Sequence, residues 1–104
     1  MNYYRQGDLA ITPITKLPDN LKETKNSVLA YGEITGHKHQ LLERIEGQFR
    51  VFQDEKDNTI LDINQPTDLV HEEHKTITIE KGFYIIRRER EYDYAGEQLN
   101  QVQD

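Results

Sequence analysis

Apolar residues recur at every second position over short stretches, separated by turn-forming residues, and this period of two predicts strands. The expected strands are residues 9–14, 27–34, 39–45, 48–53, 59–63, 68–71, 76–80 and 83–92. The breaks between them are Pro18-Asp19-Asn20, Gly36, Glu46-Gly47, residues 54–58, Asn64-Gln65-Pro66 and Lys81-Gly82. These residues set the φ angles of tight turns or compete for backbone hydrogen bonds. Eight short strands in about a hundred residues leave little for helix, apart from one expected helical turn over residues 17–23. The expected fold is all-β, a small antiparallel β-barrel or sandwich. The hairpin across residues 54–58 is the clearest local feature, because Phe49, Val51, Ile60 and Ile63 flank a charged loop rich in turn formers.

With 104 residues the chain is long enough for one core and no second module. Residues 1–94 are expected to form a single β domain and residues 95–104 a polar C-terminal tail. Hydrophobic residues make up 35% and charged residues 31%, so a thin core, polar chain ends or an extra staple is expected, and a bound ion would be such a staple. The absence of cysteine excludes disulfides, thiolate zinc sites, iron-sulfur clusters and thiol nucleophiles. Nitrogen and oxygen are the strong ligands left. The first residues carry no apolar signal-peptide core and no stretch is long enough to span a bilayer, so a soluble cytoplasmic protein without membrane contact is expected.

The net charge of −6 opposes general attraction to phosphate backbones, and nucleic acid is not the expected partner. Late in the chain Arg87, Arg88 and Arg90 alternate with Glu89 and Glu91, which reads as a solvated ladder of opposite charges. A nucleic-acid role would require Arg44, Arg50, Arg87, Arg88 and Arg90 to form one patch beside the histidines.

The candidate chemistry lies in the histidines. All four fall into two short clusters, His37-Lys38-His39 and His71-Glu72-Glu73-His74. Neutral imidazole is the commonest protein ligand for divalent ions, and two pairs from separate segments suffice for a tetrahedral or partly open octahedral site. In an extended segment His37, His39, Leu41 and Glu43 share a face, which makes Glu43 a further candidate ligand. His71 and His74 would lie on opposite faces of a flat strand, so joining one site requires a turn after Val70, with Glu72 and Glu73 on the bend. Four bound histidines would make a closed structural site; three would leave a position for water or substrate, with Glu72 or Glu73 as proton acceptor. The competing reading is a set of surface or pH-sensitive polar contacts. His71-Glu72-Glu73-His74 is one residue shorter than the zinc-protease helix motif, and no Walker loop, dinucleotide fingerprint or nucleophile elbow is present.

His37-Lys38-His39, followed by Glu43 and preceded by Gly32, resembles the first metal motif of the cupins. In that pattern the glycine stands one residue further upstream. A cupin's second motif supplies a later histidine, a part open to His71 or His74. The resemblance implies a double-stranded β-barrel binding iron, manganese, nickel or zinc, often a dioxygenase or isomerase. A second resemblance covers more of the chain: Gln6-Gly7-Asp8, Leu29-Ala30-Tyr31-Gly32-Glu33, Thr35 to His39, Val70 to His74, Gly82-Phe83-Tyr84 and Arg90-Glu91-Tyr92. This order looks like a family of small uncharacterised proteins of bacteria and their phages. It implies that the four histidines belong together and supplies no reaction.

The expected function is therefore a small metal-binding protein, with hydrolysis and oxygen chemistry both open and enzymatic activity undecided. Its partner would be a small molecule or a protein, a second copy of the chain included. The alternative is a phage or accessory module that binds another protein and holds a structural metal or none. Tyr3, Tyr4, Tyr84, Tyr92 and Tyr94 would supply its docking patch, although aromatic residues on strands usually face the core.

Overall fold

A computed structural model of the chain describes residues 2–31 and 36–88. Gly32, parts of two expected strands (32–34 and 89–92), Tyr92, Tyr94 and the tail 95–104 lie outside the described residues.

The described residues form ten strands and no helix: β1 (Tyr4–Gln6), β2 (Leu9–Ile14), β3 (Lys22–Thr24), β4 (Val28–Tyr31), β5 (Lys38–Leu41), β6 (Phe49–Gln53), β7 (Thr59–Ile63), β8 (Thr67–Val70), β9 (Ile77–Ile79) and β10 (Gly82–Arg88). They pair antiparallel in two sheets, one of order β1-β2-β10-β7-β6-β3 and one of order β4-β5-β8-β9. The all-β expectation holds in its sandwich form, since the strands make two sheets and not a closed barrel.

Alternation decides which side chains fill the space between the sheets. From the larger sheet come Leu9, Ile11, Val51, Leu61, Ile63, Tyr84 and Ile86; from the smaller come Leu41, Leu69 and Ile79. The register aligns them in rows across the strands, with Ile86 opposite Ile11, and Leu61 between Tyr84 and Val51. Fully burying each such aliphatic side chain stabilises the fold by about 1.5–3 kcal/mol. Tyr84 is buried because its hydroxyl has a partner, donating to the Glu80 carbonyl at 2.8 Å.

The expected hairpin joins β6 to β7. Asp54 organises it: one carboxylate oxygen accepts from the backbone N–H of Lys56 and Asn58, and the other from the Asn58 side chain. The expected helical turn over 17–23 is not formed. Its last residues, Lys22 and Glu23, instead pair together with Thr24 against Gln53, Phe52 and Val51 as an edge strand, and ladder bonds outweigh a single isolated turn. The strand expected over 39–45 stops at Leu41. Beyond it, Gln48 draws the chain into a loop by accepting from the N–H of Arg44 and Ile45 while donating to Pro66 O and Thr67 Oγ1.

Two features of this fold build the site. The β1–β2 connection is a two-residue turn, Gly7-Asp8, with Gln6 opposite Leu9. Gly7 has φ +61°, the left-handed value required at the first position of a type II′ hairpin turn. The chain leaves β8 at Val70 and loops through His71 to His74 before β9, which is the turn the histidine spacing demands.

Candidate functional site

His39 is the innermost member of the histidine group, 1% exposed on β5 between Lys38 and Gln40. Its Nδ1 lies 2.8 Å from Oε1 of Gln6. Gln6 is itself buried, and its amide nitrogen donates to the carbonyls of Leu69 and Lys75, each at 2.9 Å. With both amide hydrogens engaged, the glutamine presents its oxygen to the ring, so the imidazole proton belongs on Nδ1 and the lone pair on Nε2. This is the outer partner that metal-binding histidines usually have.

His71 stands beside His39 with ring centroids 4.4 Å apart, and His74 beside His71 at 4.5 Å. His74 stacks over His39 at 6.1 Å, with the planes 9° apart. Two imidazoles sharing one ion, with metal–nitrogen bonds of about 2.0 Å, hold their centroids roughly 4.5–5 Å apart. His71 thus has the right spacing to both His39 and His74, but His39 and His74 stand wider apart and the rings stack or tilt. No group of three or more histidine, aspartate or glutamate side chains among the described residues has its donor atoms converged on one point. The reason is local: the Glu73 N–H donates to Nδ1 of His71 at 3.0 Å and orients that ring. Coordination requires His71 to release this bond, or to move its proton to Nδ1 and turn.

His37 sits at the rim, 5.7 Å from His71 centroid to centroid, with Nδ1 3.7 Å from Glu73 Oε2. Glu72 accepts from the Lys38 N–H at 2.8 Å, which holds its carboxyl below the ordinary range and ties the 71–74 loop to β5. The sequence-derived set is therefore mostly together: four histidines with Glu72 and Glu73. Glu43 is apart. Strand β5 ends two residues before it, and Glu43 lines a different cleft of about 540 Å³ with Glu23, Glu46 and Arg50.

The β1–β2 turn supplies what sequence reasoning missed. Asp8 Oδ1 lies 3.8 Å from His39 Nε2, and its Oδ2 accepts from Arg88 Nε at 2.8 Å. Arg88 also donates to the Tyr31 carbonyl, so it is a clamp between elements and not a rung of a solvated charge ladder. Burial would raise the Asp8 carboxyl, but the Arg88 guanidinium outweighs it and holds Asp8 below its ordinary value. Burial, with the neighbouring His71, pushes His39 down to about 4, so the ring is neutral at pH 7 as a ligand must be. Burial and His74 lower His71 as well. One signal for the turn was available: alternation through β1 aims Tyr4 and Gln6 inward, and a glutamine at a core position requires polar partners.

Gly7 completes this wall. A Cβ on it would lie 2.6 Å from Nε2 of His74. Gly7→Ala is expected to displace His74 and strain the left-handed backbone, destabilising the fold by about 1–2 kcal/mol. Chemical denaturation checks this; an unchanged midpoint would show that His74 is not packed against the turn.

The described residues thus define a β-sandwich domain with a histidine group at one end, walled by a hairpin turn and the loop after β8. The chain belongs to a family of proteins sharing a domain of unknown function, DUF8820, whose model matches residues 5–89. No curated protein and no solved structure matches it. Among the described residues no helix is long and apolar enough to cross a membrane.

Proposed function

We propose that this protein binds a divalent metal ion, zinc, iron, manganese or nickel, through its histidine group. The observation that carries the reading is His39: a neutral imidazole almost without solvent, its tautomer set by Gln6 and its own Nε2 receiving no hydrogen bond from the described residues. A buried acceptor left unpaired costs about 1–3 kcal/mol, and a cation at Nε2 removes that penalty. His71 stands at the spacing for the same ion, His74 at that spacing from His71, and His37 at the rim is the fourth candidate.

Bound there, such an ion would supply Lewis acidity and an activated water, which suits a hydrolase or, with a redox metal, an oxygenase. Glu73, exposed at the rim beside His37, is the better placed proton acceptor, whereas Glu72 is engaged by the Lys38 N–H. His71 and Glu72 border a surface depression of about 240 Å³ with Lys38, Gln40 and Val70, room for a small substrate. The reading includes a cytoplasmic location, in keeping with a chain free of cysteine. Nucleic acid remains disfavoured: Arg44, Arg50 and Arg88 each pair with an aspartate, Asp68, Asp62 and Asp8.

A second reading is a non-enzymatic accessory module, of phage or bacterial origin, in which a structural ion or none holds the loops. Tyr3 and Tyr31, both more than half exposed, favour it as docking side chains; Tyr84 is buried and contributes nothing to a surface. Elemental analysis of untagged protein beside a His37→Ala/His74→Ala variant tests the proposal. Near-stoichiometric metal that is lost in the variant is expected. A metal-free protein that also takes up no zinc, manganese or nickel from solution would leave the accessory-module reading.

A further inference from the structure

His39 Nε2, the nitrogen left bare when Nδ1 donates to Gln6 Oε1, lies 3.8 Å from a carboxylate oxygen of Asp8, too long for a hydrogen bond. Two acceptors this close, one of them buried and the other a quarter exposed, repel unless a hydrogen donor or a cation stands between them. Donor atoms bound to one ion at about 2.0–2.2 Å lie roughly 3–4 Å apart, so the separation suits a shared metal. The carboxylate is also held for this task. Its second oxygen is engaged by Arg88, which is anchored to the Tyr31 carbonyl, and Oδ1 is left aimed at the ring.

We propose that Asp8 is a ligand of the ion, and that the inner set is His39, His71, His74 and Asp8, with His37 outside it beside Glu73. The inference rests on the metal reading above and changes its composition. His74 belongs to this set because the missing side chain of Gly7, next to Asp8, lets its Nε2 approach the turn. His37 falls outside because, among the described residues, its ring meets that of His71 alone, at 5.7 Å, while Nδ1 faces Glu73. Three neutral imidazoles carry no charge to offset that of the ion, whereas the Asp8 carboxylate, shared with Arg88, offsets part of it. A mixed nitrogen and oxygen set suits these ions, imidazole serving zinc, iron and nickel and carboxylate serving manganese.

The test is titration of Co²⁺ into the metal-free full chain, followed by calorimetry and by the visible absorption bands, which report the identity and geometry of the ligands. Wild type should bind, and His39→Ala should not. Asp8→Asn should lose more than the roughly tenfold that losing an outer partner costs and show shifted bands, while His37→Ala should keep the wild-type bands. Should Asp8→Asn fail to fold, Asp8→Glu keeps the charge and carries the test: shifted bands in the folded variant support the assignment. Unchanged affinity and bands in either folded Asp8 variant overturn it and leave the histidine reading standing. Absence of Co²⁺ binding in wild type overturns both.

Discussion

Replacing His39 with alanine is expected to abolish high-affinity metal binding and to destabilise the metal-free fold by about 2–4 kcal/mol. Two losses add in the second effect. A ring that is 1% exposed leaves a cavity beside β8, and Gln6 Oε1 loses its donor while the rest of that amide stays bound to Leu69 and Lys75. For a domain of this size each kcal/mol lowers the melting temperature by roughly 4–8 °C. Melting should therefore be measured with and without added Zn²⁺. Wild type should gain stability from the ion by mass action, about 2.7 kcal/mol when the ion stands at a hundred times its dissociation constant. The variant should gain nothing. A variant that melts early yet still responds to Zn²⁺ would show His39 to be a core residue and no ligand.

Acid should weaken the metal-free protein well before its carboxylates titrate. In the unfolded chain His39 takes up a proton near pH 6.5, whereas in the fold burial and His71 hold it to about 4. The unfolded state then binds more protons throughout that interval, so stability is full above pH 6.5, falls as the pH drops toward 4, and loses no more from this group below it. At about 1.4 kcal/mol per pH unit the loss is on the order of 3 kcal/mol. His71, also lowered, adds in the same direction. Asp8, lowered from 3.8, adds its loss only below that value. Urea unfolding in chelator at pH 7.5, 5.5 and 4.5 should show the decline, and His39→Ala should flatten most of it. A wild-type curve that is level between pH 7 and 5 would mean that His39 is charged in the fold and paired with Asp8.

Much of this architecture was legible along the chain because each feature depends on neighbours in sequence. The period-two alternation placed Leu9, Ile11, Leu61 and Ile63 on one face, and the Asp54 hairpin folds on its own side-chain bonds. The spacing of His71 and His74 demanded a turn after Val70, which is where β8 ends. Strands β1 and β3 were missed because they are three residues long and exist through their partners β2 and β6. Glu43 was placed with the histidines by extending an alternation that Gln48, five residues further on, cuts short.

What the sequence determined alone is the inventory: an all-β chain with no thiol, and four imidazoles gathered on two segments. Which of them is buried, which nitrogen carries the proton, and which carboxylate faces the lone pair were decided by tertiary structure. Gln6 and Asp8 precede His39 by more than thirty residues, and Arg88 follows Asp8 by eighty. They meet only when β1 and β2 turn at Gly7 and pack over the end of β5. Local alternation specifies a face, but sheet pairing and the contact of two sheets specify what stands opposite it.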